Sequence, residues 1–162
     1  MEIFSELVSI LLEKKLTITS AESCTGGLFS SEIVSVPNAS RVLSAAFITY
    51  SEDAKSEIIG VNPEIIKNCG VVSESVAVEM ASGAANKTDA NVAVGITGYA
   101  GPATDKNDDT AGRVCFGFYV NGKTVSSKKE FGDIGRNAVR ELAVIYAAKT
   151  LISLIKRFGD IK

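Results

Sequence analysis

The spacing of apolar residues along the chain predicts an alternation of helices and strands. Ile3, Leu7, Ile10 and Leu11 recur at helical spacing and predict a first helix over residues 2–14. Short apolar runs bounded by glycine or polar residues predict the strands. The predicted helices cover residues 2–14, 28–36, 52–59, 63–69, 74–86 and 136–158, and the predicted strands cover 16–20, 45–50, 91–97, 114–120 and 124–131.

This order predicts an α/β fold, a three-layer α/β/α sandwich with a mixed, mostly parallel sheet of about five strands. The strand over residues 91–97 is almost continuously apolar and is expected near the sheet centre. The last two strands alternate in polarity around Asn121-Gly122, a strong hairpin signal that supplies an antiparallel pair. No repeat or linker interrupts the chain, so residues 1–162 are predicted to form a single domain.

Composition excludes several classes of partner. The chain is 46% hydrophobic, with a net charge of −2 and no cluster of Lys and Arg, so we expect no nucleic-acid partner. No apolar run approaches the ~20 residues that span a bilayer, so we expect no membrane partner. Three widely spaced cysteines and a start without basic residues favour a cytoplasmic location. The oligomeric state stays open, with a homo-oligomer among the options.

Histidine is absent from the chain, which limits the available chemistry. Ser-His-Asp and Cys-His catalysis are excluded, and so is the commonest zinc ligand. Asp105, Asn107 and Asp109 resemble half of a calcium loop, but Thr110 and Phe116 stand where that loop needs glycine and glutamate. We therefore expect no metal and no other cofactor, and a nucleophile activated by a lysine, a carboxylate or a helix terminus.

The stretch Glu22–Gly27 joins the first strand to a helix through a small, glycine-rich turn. Open α/β sheets place ligands at such junctions, where the free N–H groups of the helix start favour negative charge. Ser23 and Cys24 are therefore candidate nucleophiles. The alternative is that Ser23 or Thr25 merely caps the following helix.

Two further strand ends, Tyr50–Lys55 and Thr97–Gly101, are also polar or rich in glycine. Because the ends of parallel strands meet at one sheet edge, these loops and the first turn are predicted to build one pocket. The residues expected to contact a substrate there, or from the start of the last helix, are Glu22, Thr25, Gly26, Gly27, Tyr50, Thr97, Gly98, Gly101, Arg136 and Arg140.

Lys55 is the candidate general base for Ser23. It lies in the first turn or so of a helix, where burial and the positive helix end would lower its pKa and leave a neutral amine. The alternative is an exposed lysine paired with Glu52 or Asp53. Cys24 is the rival nucleophile, although a small buried cysteine behind the turn is the commoner use.

A second motif is discounted on structural grounds. Residues 117–124 match the Walker A pattern, with Gly117, Gly122, Lys123 and Thr124 at the required positions. A phosphate-binding loop needs a strand, a loop and then a helix. Here the match falls within a predicted strand, turn and strand, so we do not expect a phosphate loop.

Several separated blocks resemble the CinA C-terminal domain family over essentially the whole chain. The first two contain the candidate nucleophile and the candidate base. The blocks are Ala21-Glu-Ser-Cys-Thr-Gly-Gly27, Thr49-Tyr-Ser-Glu-Asp-Ala-Lys55, Gly70-Val-Val-Ser-Glu74 with Met80-Ala-Ser-Gly-Ala84, and Thr97-Gly-Tyr-Ala-Gly-Pro102. The chain resembles the stand-alone form of the family, without the N-terminal domain of the larger competence/damage-inducible proteins.

The resemblance implies an amidohydrolase that converts nicotinamide mononucleotide into nicotinate mononucleotide and ammonia, without a metal. It implies Ser23 as the nucleophile and Lys55 as its base. Backbone N–H groups near Thr25 to Gly27, or in the Gly98–Gly101 loop, are expected to hold the oxyanion. Arg136 or Arg140 is a candidate phosphate ligand, with the alternative that both are solvated helix residues.

The chain departs from the usual pattern of that family at three places. Ala103-Thr104 replaces two glycines, Thr110-Ala111-Gly112 lacks a proline, and Ile134-Gly135 replaces Gly-Asp before the last helix. All three lie in or near the expected ligand loops, so they bear on the substrate and on turnover. The alternative function is accordingly a catalytically silent domain that binds or senses a nucleotide.

Overall fold

The computed structural model describes residues 2–160, so the single-domain prediction extends beyond it at Met1, Ile161 and Lys162. The elements follow the predicted order, with one additional 3-10 helix over Ala39–Arg41. The helices are α1 (Glu2–Lys14), α2 (Leu28–Val34), α3 (Glu52–Ile59), α4 (Pro63–Cys69), α5 (Glu74–Thr88) and α6 (Arg136–Phe158). The strands are β1 (Ile18–Glu22), β2 (Phe47–Ile48), β3 (Val92–Gly98), β4 (Arg113–Val120) and β5 (Lys123–Glu130).

The five strands form one mixed sheet in the order β2-β1-β3-β4-β5. Strand β1 pairs in parallel with β2 and β3, whereas β4 runs antiparallel to both β3 and β5. Helices α3, α4 and α5 cover one face, and α1, α2 and α6 cover the other. The predicted three-layer α/β/α fold is therefore confirmed, and the carboxyl ends of β1, β2 and β3 lie at the same edge.

Helix α5 packs unusually close to the sheet because two glycines face it. Gly95 of β3 and Gly117 of β4 are register partners. A Cβ atom at either glycine would lie 2.2 Å from the carbonyl oxygen of Ala77. The missing side chains thus let the backbone of α5 rest directly on the strands. This contact fixes β3, whose carboxyl end forms one wall of the candidate site.

Strands β1 and β2 differ in length from the prediction. Strand β1 continues past Ser20, because Ala21 and Glu22 pair with β2 on one side and β3 on the other. The two residues beyond Ser20 are small and charged, so the pattern on which the prediction rested did not extend to Glu22. Strand β2 is confined to Phe47–Ile48, since it is an edge strand and the preceding Ala45 and Ala46 are exposed.

The predicted hairpin is confirmed at Asn121-Gly122. Both residues have positive φ, 47° and 85°, as the tight turn of a hairpin requires. The Walker A match therefore lies within β4, the turn and β5, where no helix start is available to hold a phosphate. None of the helices within residues 2–160 combines the length and apolar character needed to cross a membrane.

Candidate active site

Lys55 enters the site from the first turn of α3. Ser51 caps this helix by accepting a hydrogen bond from the N–H of Ala54, so α3 begins just after the end of β2. The Lys55 side chain is fully buried, whereas Glu52 and Asp53 are exposed. The alternative of an exposed lysine paired with these carboxylates is therefore wrong.

The side-chain nitrogen of Lys55, Nζ, lies 3.1 Å from the hydroxyl oxygen of Ser23. It also lies 2.7 Å from the carbonyl oxygen of Thr49 and 3.3 Å from that of Tyr50. Three oxygen atoms thus surround Nζ. A neutral amine fits them by donating two N–H groups to the carbonyls and directing its lone pair at the hydroxyl.

Burial lowers the pKa of Lys55 below its ordinary value of 10.5. Removal from water is the largest cause, because it disfavours the charged form. Negative charge on Cys24, when its thiol is ionised, and then on Glu52 acts in the opposite direction and raises this pKa. No carboxylate forms an ion pair with Lys55 among residues 2–160. The site therefore favours a lysine that can lose its proton more easily than an exposed one.

Ser23 is the first residue after β1 and is 8% exposed. Its N–H donates to the carbonyl oxygen of Ile96 in the neighbouring strand β3, at 2.9 Å. The hydroxyl also lies 3.5 Å from the Tyr50 carbonyl oxygen. Ser23 is thus held between the ends of two parallel strands, close to the surface and against the lysine.

The carboxylate of Glu22, an expected substrate contact, is engaged by hydrogen bonds within the protein. Its side chain is fully buried and points at the start of α2. One carboxylate oxygen accepts from the Gly27 and Phe29 N–H groups, and the other from the Ser30 N–H and the Ser20 hydroxyl. With each oxygen accepting two hydrogen bonds, Glu22 has no free acceptor for a substrate or for the Ser23 proton.

The hydrogen bonds to the Glu22 carboxylate take the place of a side-chain cap on α2, for which Ser23 and Thr25 were the alternatives. Gly27 occupies the N-cap position, with a φ of 94° and no side-chain cap. Neither Ser23 nor Thr25 caps the helix, and the Thr25 hydroxyl is buried without a hydrogen-bond partner in the described residues. The capping alternative is therefore wrong for both, because the carboxylate of Glu22 takes the N–H groups at the helix start.

Arg140 of α6, an expected substrate contact, holds the turn between β1 and α2 from its other side. Its guanidinium donates to the carbonyl oxygens of Cys24 at 3.1 Å and Thr25 at 2.9 Å, and to the side chain of Asn137. All three guanidinium nitrogens are engaged within the protein. Arg140 is thus not a solvated helix residue, and three of its five N–H groups are already used within the protein.

Two adjoining cavities open at the predicted sheet edge. The smaller has a volume of about 160 Å³. It is lined by Ser23, Cys24, Tyr50, Val71, Val72, Thr97, Gly98 and Tyr99. The larger, of about 500 Å³, shares Tyr50, Gly98 and Tyr99 with it and extends towards Gly101, Thr104 and Arg136. The strand-end loops therefore do build a common pocket.

Thr97, an expected substrate contact, lines the smaller cavity. Its hydroxyl donates a hydrogen bond to the Val71 carbonyl oxygen, so its proton is already used within the protein.

Arg136, at the start of α6, borders the larger cavity and is exposed. It donates to the Gly101 carbonyl oxygen at 2.6 Å and to the Tyr50 hydroxyl at 3.0 Å. These contacts connect the loops after β2 and β3. Arg136 lines the larger cavity, whereas Arg140 does not, so a charged ligand in this cavity would lie next to the Arg136 guanidinium.

Sequence reasoning missed the wall formed by Val71 and Val72 and the carbonyl acceptor of Thr49. The valines lie between α4 and α5, so no strand-end pattern identifies them, although they belong to the Gly70–Glu74 block. The carbonyl of Thr49 is invisible to any reasoning from side-chain type. The one feature of the sequence that could have indicated this carbonyl acceptor is Lys55, which follows Thr49 by six residues.

The thiol of Cys24 is a poor nucleophile in this setting. Burial raises its pKa to about 11, and the negative charge of Glu22 adds to the effect, against the opposing influence of its own N–H and of the two arginines. The thiol therefore remains protonated near neutral pH.

No group of three or more Cys, Asp or Glu side chains within residues 2–160 is arranged to hold a metal ion.

Fold and site together define an α/β domain with a buried lysine against a serine at the carboxyl ends of its parallel strands. Residues 1–155 match the family model described as the CinA C-terminal domain. The chain therefore belongs to the CinA C-terminal domain family, and the resemblance noted in the sequence is confirmed.

Relatives fall into two groups by length. A putative competence-damage inducible protein of Alkaliphilus oremlandii is 41% identical over 90% of this chain but only 35% of its own length. The chain thus spans about a third of such relatives. By contrast, Protein YdeJ of Escherichia coli K12 is 36% identical, and the alignment covers 93% of this chain and 87% of YdeJ.

Solved structures of CinA superfamily proteins share the fold. One from Escherichia coli has a TM-score of 0.88 at 34% identity, covering 94% of this chain and 88% of its own. One from Klebsiella pneumoniae has a TM-score of 0.91 at 27% identity, covering 96% and 97%. The α/β/α architecture is therefore that of the superfamily.

Proposed function

We propose that the domain is an amidohydrolase that deamidates nicotinamide mononucleotide to nicotinate mononucleotide and ammonia. The observation that carries this proposal is the contact of 3.1 Å between the Lys55 amine and the Ser23 hydroxyl, with the lysine fully buried. With no histidine in the chain, this pair is the best-placed nucleophile and base in the pocket. The resemblance noted in the sequence suggests the substrate class.

The reaction follows from this pair. The lone pair of neutral Lys55 takes the Ser23 proton as the serine oxygen bonds to the carboxamide carbon. The resulting ammonium gives that proton to the departing nitrogen, which leaves as ammonia and yields an acyl-enzyme. A water molecule, deprotonated by the same lysine, then attacks the acyl carbon. The products are the carboxylate and regenerated Ser23, so no external oxidant or reductant is needed.

The oxyanion of each tetrahedral intermediate needs N–H donors near Ser23. The Gly26 N–H donates to the Ser23 carbonyl and the Gly27 N–H to Glu22, so neither glycine is free. The N–H groups of Cys24 and Thr25 donate to no acceptor on another described residue. Cys24 lines the smaller cavity whereas Thr25 is fully buried, so we assign the oxyanion to the Cys24 N–H. Cys24 directly precedes the range Thr25 to Gly27 expected from sequence, and the Gly98–Gly101 loop stays the alternative.

The adjoining cavities suit a mononucleotide with its amide at Ser23. The smaller cavity, between Tyr50, Thr97 and Gly98, would hold the ring carrying the carboxamide. The ribose and phosphate would extend into the larger cavity past Gly101, towards the guanidinium of Arg136. Arginine is suited to phosphate, because its planar fork can donate two parallel hydrogen bonds. In this pose Arg136, rather than Arg140, is the phosphate ligand.

One observation favours a second function, a nucleotide-binding domain without turnover. The three oxygens around Nζ also match the three N–H donors of a charged lysine. A permanently charged Lys55 would orient the Ser23 hydroxyl but could not accept its proton. The departure at Thr104, which lines the larger cavity, bears on the same alternative.

The two functions are separated by incubating the purified protein with nicotinamide mononucleotide and measuring both ammonia release and binding. Ammonia release that disappears in Ser23→Ala supports the amidohydrolase. Binding by calorimetry without any ammonia release would refute it and would favour the silent domain. Nicotinamide riboside, which carries the same amide without the phosphate, serves as the matched substrate control.

A further inference from the structure

The carboxylate of Glu22 is used in an unusual way. It is fully buried and accepts four hydrogen bonds, at 3.0 to 3.1 Å, from the Ser20 hydroxyl and from the N–H groups of Gly27, Phe29 and Ser30. No Lys or Arg of residues 2–160 forms an ion pair with it. A buried carboxylate is costly unless it is hydrogen-bonded, and bonds to an ionised acceptor are the stronger kind.

These contacts close the catalytic turn into a ring. Glu22 is the last residue of β1 and directly precedes Ser23, while its carboxylate reaches forward to the first residues of α2. The turn between the two ends passes through Gly26 and Gly27, whose φ values of 57° and 94° allow this tight path. Ser23 thus lies inside a short loop whose two ends are joined by one side chain.

Arg140 fixes the same loop from the opposite direction. Glu22 takes N–H groups from the far end of the turn, whereas Arg140 of α6 donates to the carbonyl oxygens of Cys24 and Thr25. The loop therefore cannot rotate about its ends without breaking a charge-assisted hydrogen bond. Neither side chain lines the smaller cavity at Ser23, so neither contacts the reacting amide.

We propose that Glu22 is a positioning residue for Ser23, and that Arg140 is its counterpart across the catalytic turn. The proposal rests on the proposed Ser/Lys function. Together the two side chains hold the serine hydroxyl at the lysine and direct the Cys24 N–H group at the oxyanion. A shift of about 1 Å in such groups is enough to lower a rate about 10²-fold.

Glu22→Gln tests this with almost no change in volume. An amide has one acceptor oxygen, so its NH₂ group must face either the Gly27 and Phe29 N–H groups or the Ser30 N–H. Arg140→Lys is the second variant, since one ammonium cannot reproduce the planar fork that spans two carbonyls. Leu151→Ala is the matched control, because Leu151 is fully buried in the main core and lies outside the site.

We expect Glu22→Gln to lower kcat about 10²-fold with KM changed by less than about threefold, because substrate contacts remain. Arg140→Lys should lower kcat about tenfold. Leu151→Ala should lower Tm at least as much as either variant while keeping kcat within about twofold. If Glu22→Gln kept kcat within about twofold, or if Leu151→Ala lost as much kcat, the positioning role would be overturned. If Glu22→Gln does not fold, Arg140→Lys decides by the same criteria.

Amide hydrogen exchange provides a readout that needs no substrate. The N–H groups of Gly27, Phe29 and Ser30 should exchange at least about tenfold faster in Glu22→Gln than in the wild type, with no such change in Leu151→Ala. Unchanged exchange in Glu22→Gln would overturn the proposal. If the wild type released no ammonia, the Ser/Lys function would fail, and exchange alone would then decide whether Glu22 fixes the turn.

Discussion

The charge on Lys55 is the most informative quantity to perturb, because only a neutral amine can act as the base. Lys55→Arg keeps a cation beside Ser23 but cannot lose a proton near neutral pH. Lys55→Met keeps a similar length without any charge. Loss of a general base typically costs a factor of 10²–10⁴, so we expect both variants to lose kcat by about 10² or more. Substrate affinity should change much less, since Lys55 is fully buried and lines neither cavity of the site.

The pH dependence has a definite sign. Burial lowers the pKa of Lys55 below 10.5, so the amine becomes neutral as pH rises through this lowered value. The rate should therefore increase with pH. A plot of log(kcat/KM) against pH should rise with a slope of one on its acid side, as for the loss of one proton. The profile of Lys55→Met should lack this rise on the acid side. A wild-type profile that is flat on its acid side would argue against lysine as the base.

Stability gives an independent measure of the same pKa. The folded value of Lys55 is lowered, so the unfolded chain binds more protons in the window between that value and 10.5. The contribution of Lys55 to stability is therefore complete above 10.5 and is lost as pH falls through the window. The unfolding free energy of wild type should rise with pH by up to about 1.4 kcal/mol per unit relative to Lys55→Met.

Ammonia release from nicotinamide mononucleotide is the kinetic assay, and denaturant unfolding at a series of pH values is the stability assay. Lys149→Met is the control, since Lys149 is exposed on α6 and lies outside the site. Near-normal turnover in Lys55→Arg would refute the reasoning. Lys55 would then be an electrostatic group, and Glu22 could not replace it, because its carboxylate is already engaged with the start of α2.

Four further outcomes test the site. Ser23→Ala should abolish ammonia release with Tm preserved, and retention of more than a few per cent of kcat would exclude Ser23 as the nucleophile. Activity should survive EDTA, because the chain has no histidine and no suitable acidic cluster within residues 2–160; loss that a divalent ion restores would contradict this. Cys24→Ala should keep kcat within about threefold, since the thiol is protonated at neutral pH, whereas loss of turnover would make it a reacting group. Arg136→Met should raise KM for the mononucleotide about 10-fold or more but not for nicotinamide riboside, and an equal rise for both would exclude a phosphate contact.

Local patterns in the sequence were enough to predict the order of elements. Ser51, Asn62 and Ser73 each precede a helix, and the side chain of each accepts a capping hydrogen bond, as is typical of serine and asparagine at this position. Asn121-Gly122 turns the hairpin as predicted. These features depend on residues within one turn of each other, so the chain encodes them without reference to the rest of the fold.

The proximity of Ser23 and Lys55 was also predictable, because it follows from the rule that parallel strands end at one edge. Their catalytic roles remain predictions. The roles of Glu22 and Arg140 were not predictable in the same way. Glu22 lies in a polar stretch between Ser20 and Ser23, which is typical of a strand ending in a loop, yet it is buried against α2. Arg140 reaches the turn across a separation of 115 residues or more, and no local pattern reports such a contact.

The environment of Lys55 argues for turnover rather than for a silent pocket. Lys14, Lys156 and Arg113 have carboxylate partners, and each of these pairs is at least partly exposed. Lys55 instead is fully buried and has only neutral oxygen partners. A lysine in such a place destabilises the fold in its charged form, and an apolar residue of similar length would not. A domain that only binds a nucleotide has no need of this arrangement, whereas an amidohydrolase without histidine needs a base whose pKa burial has lowered.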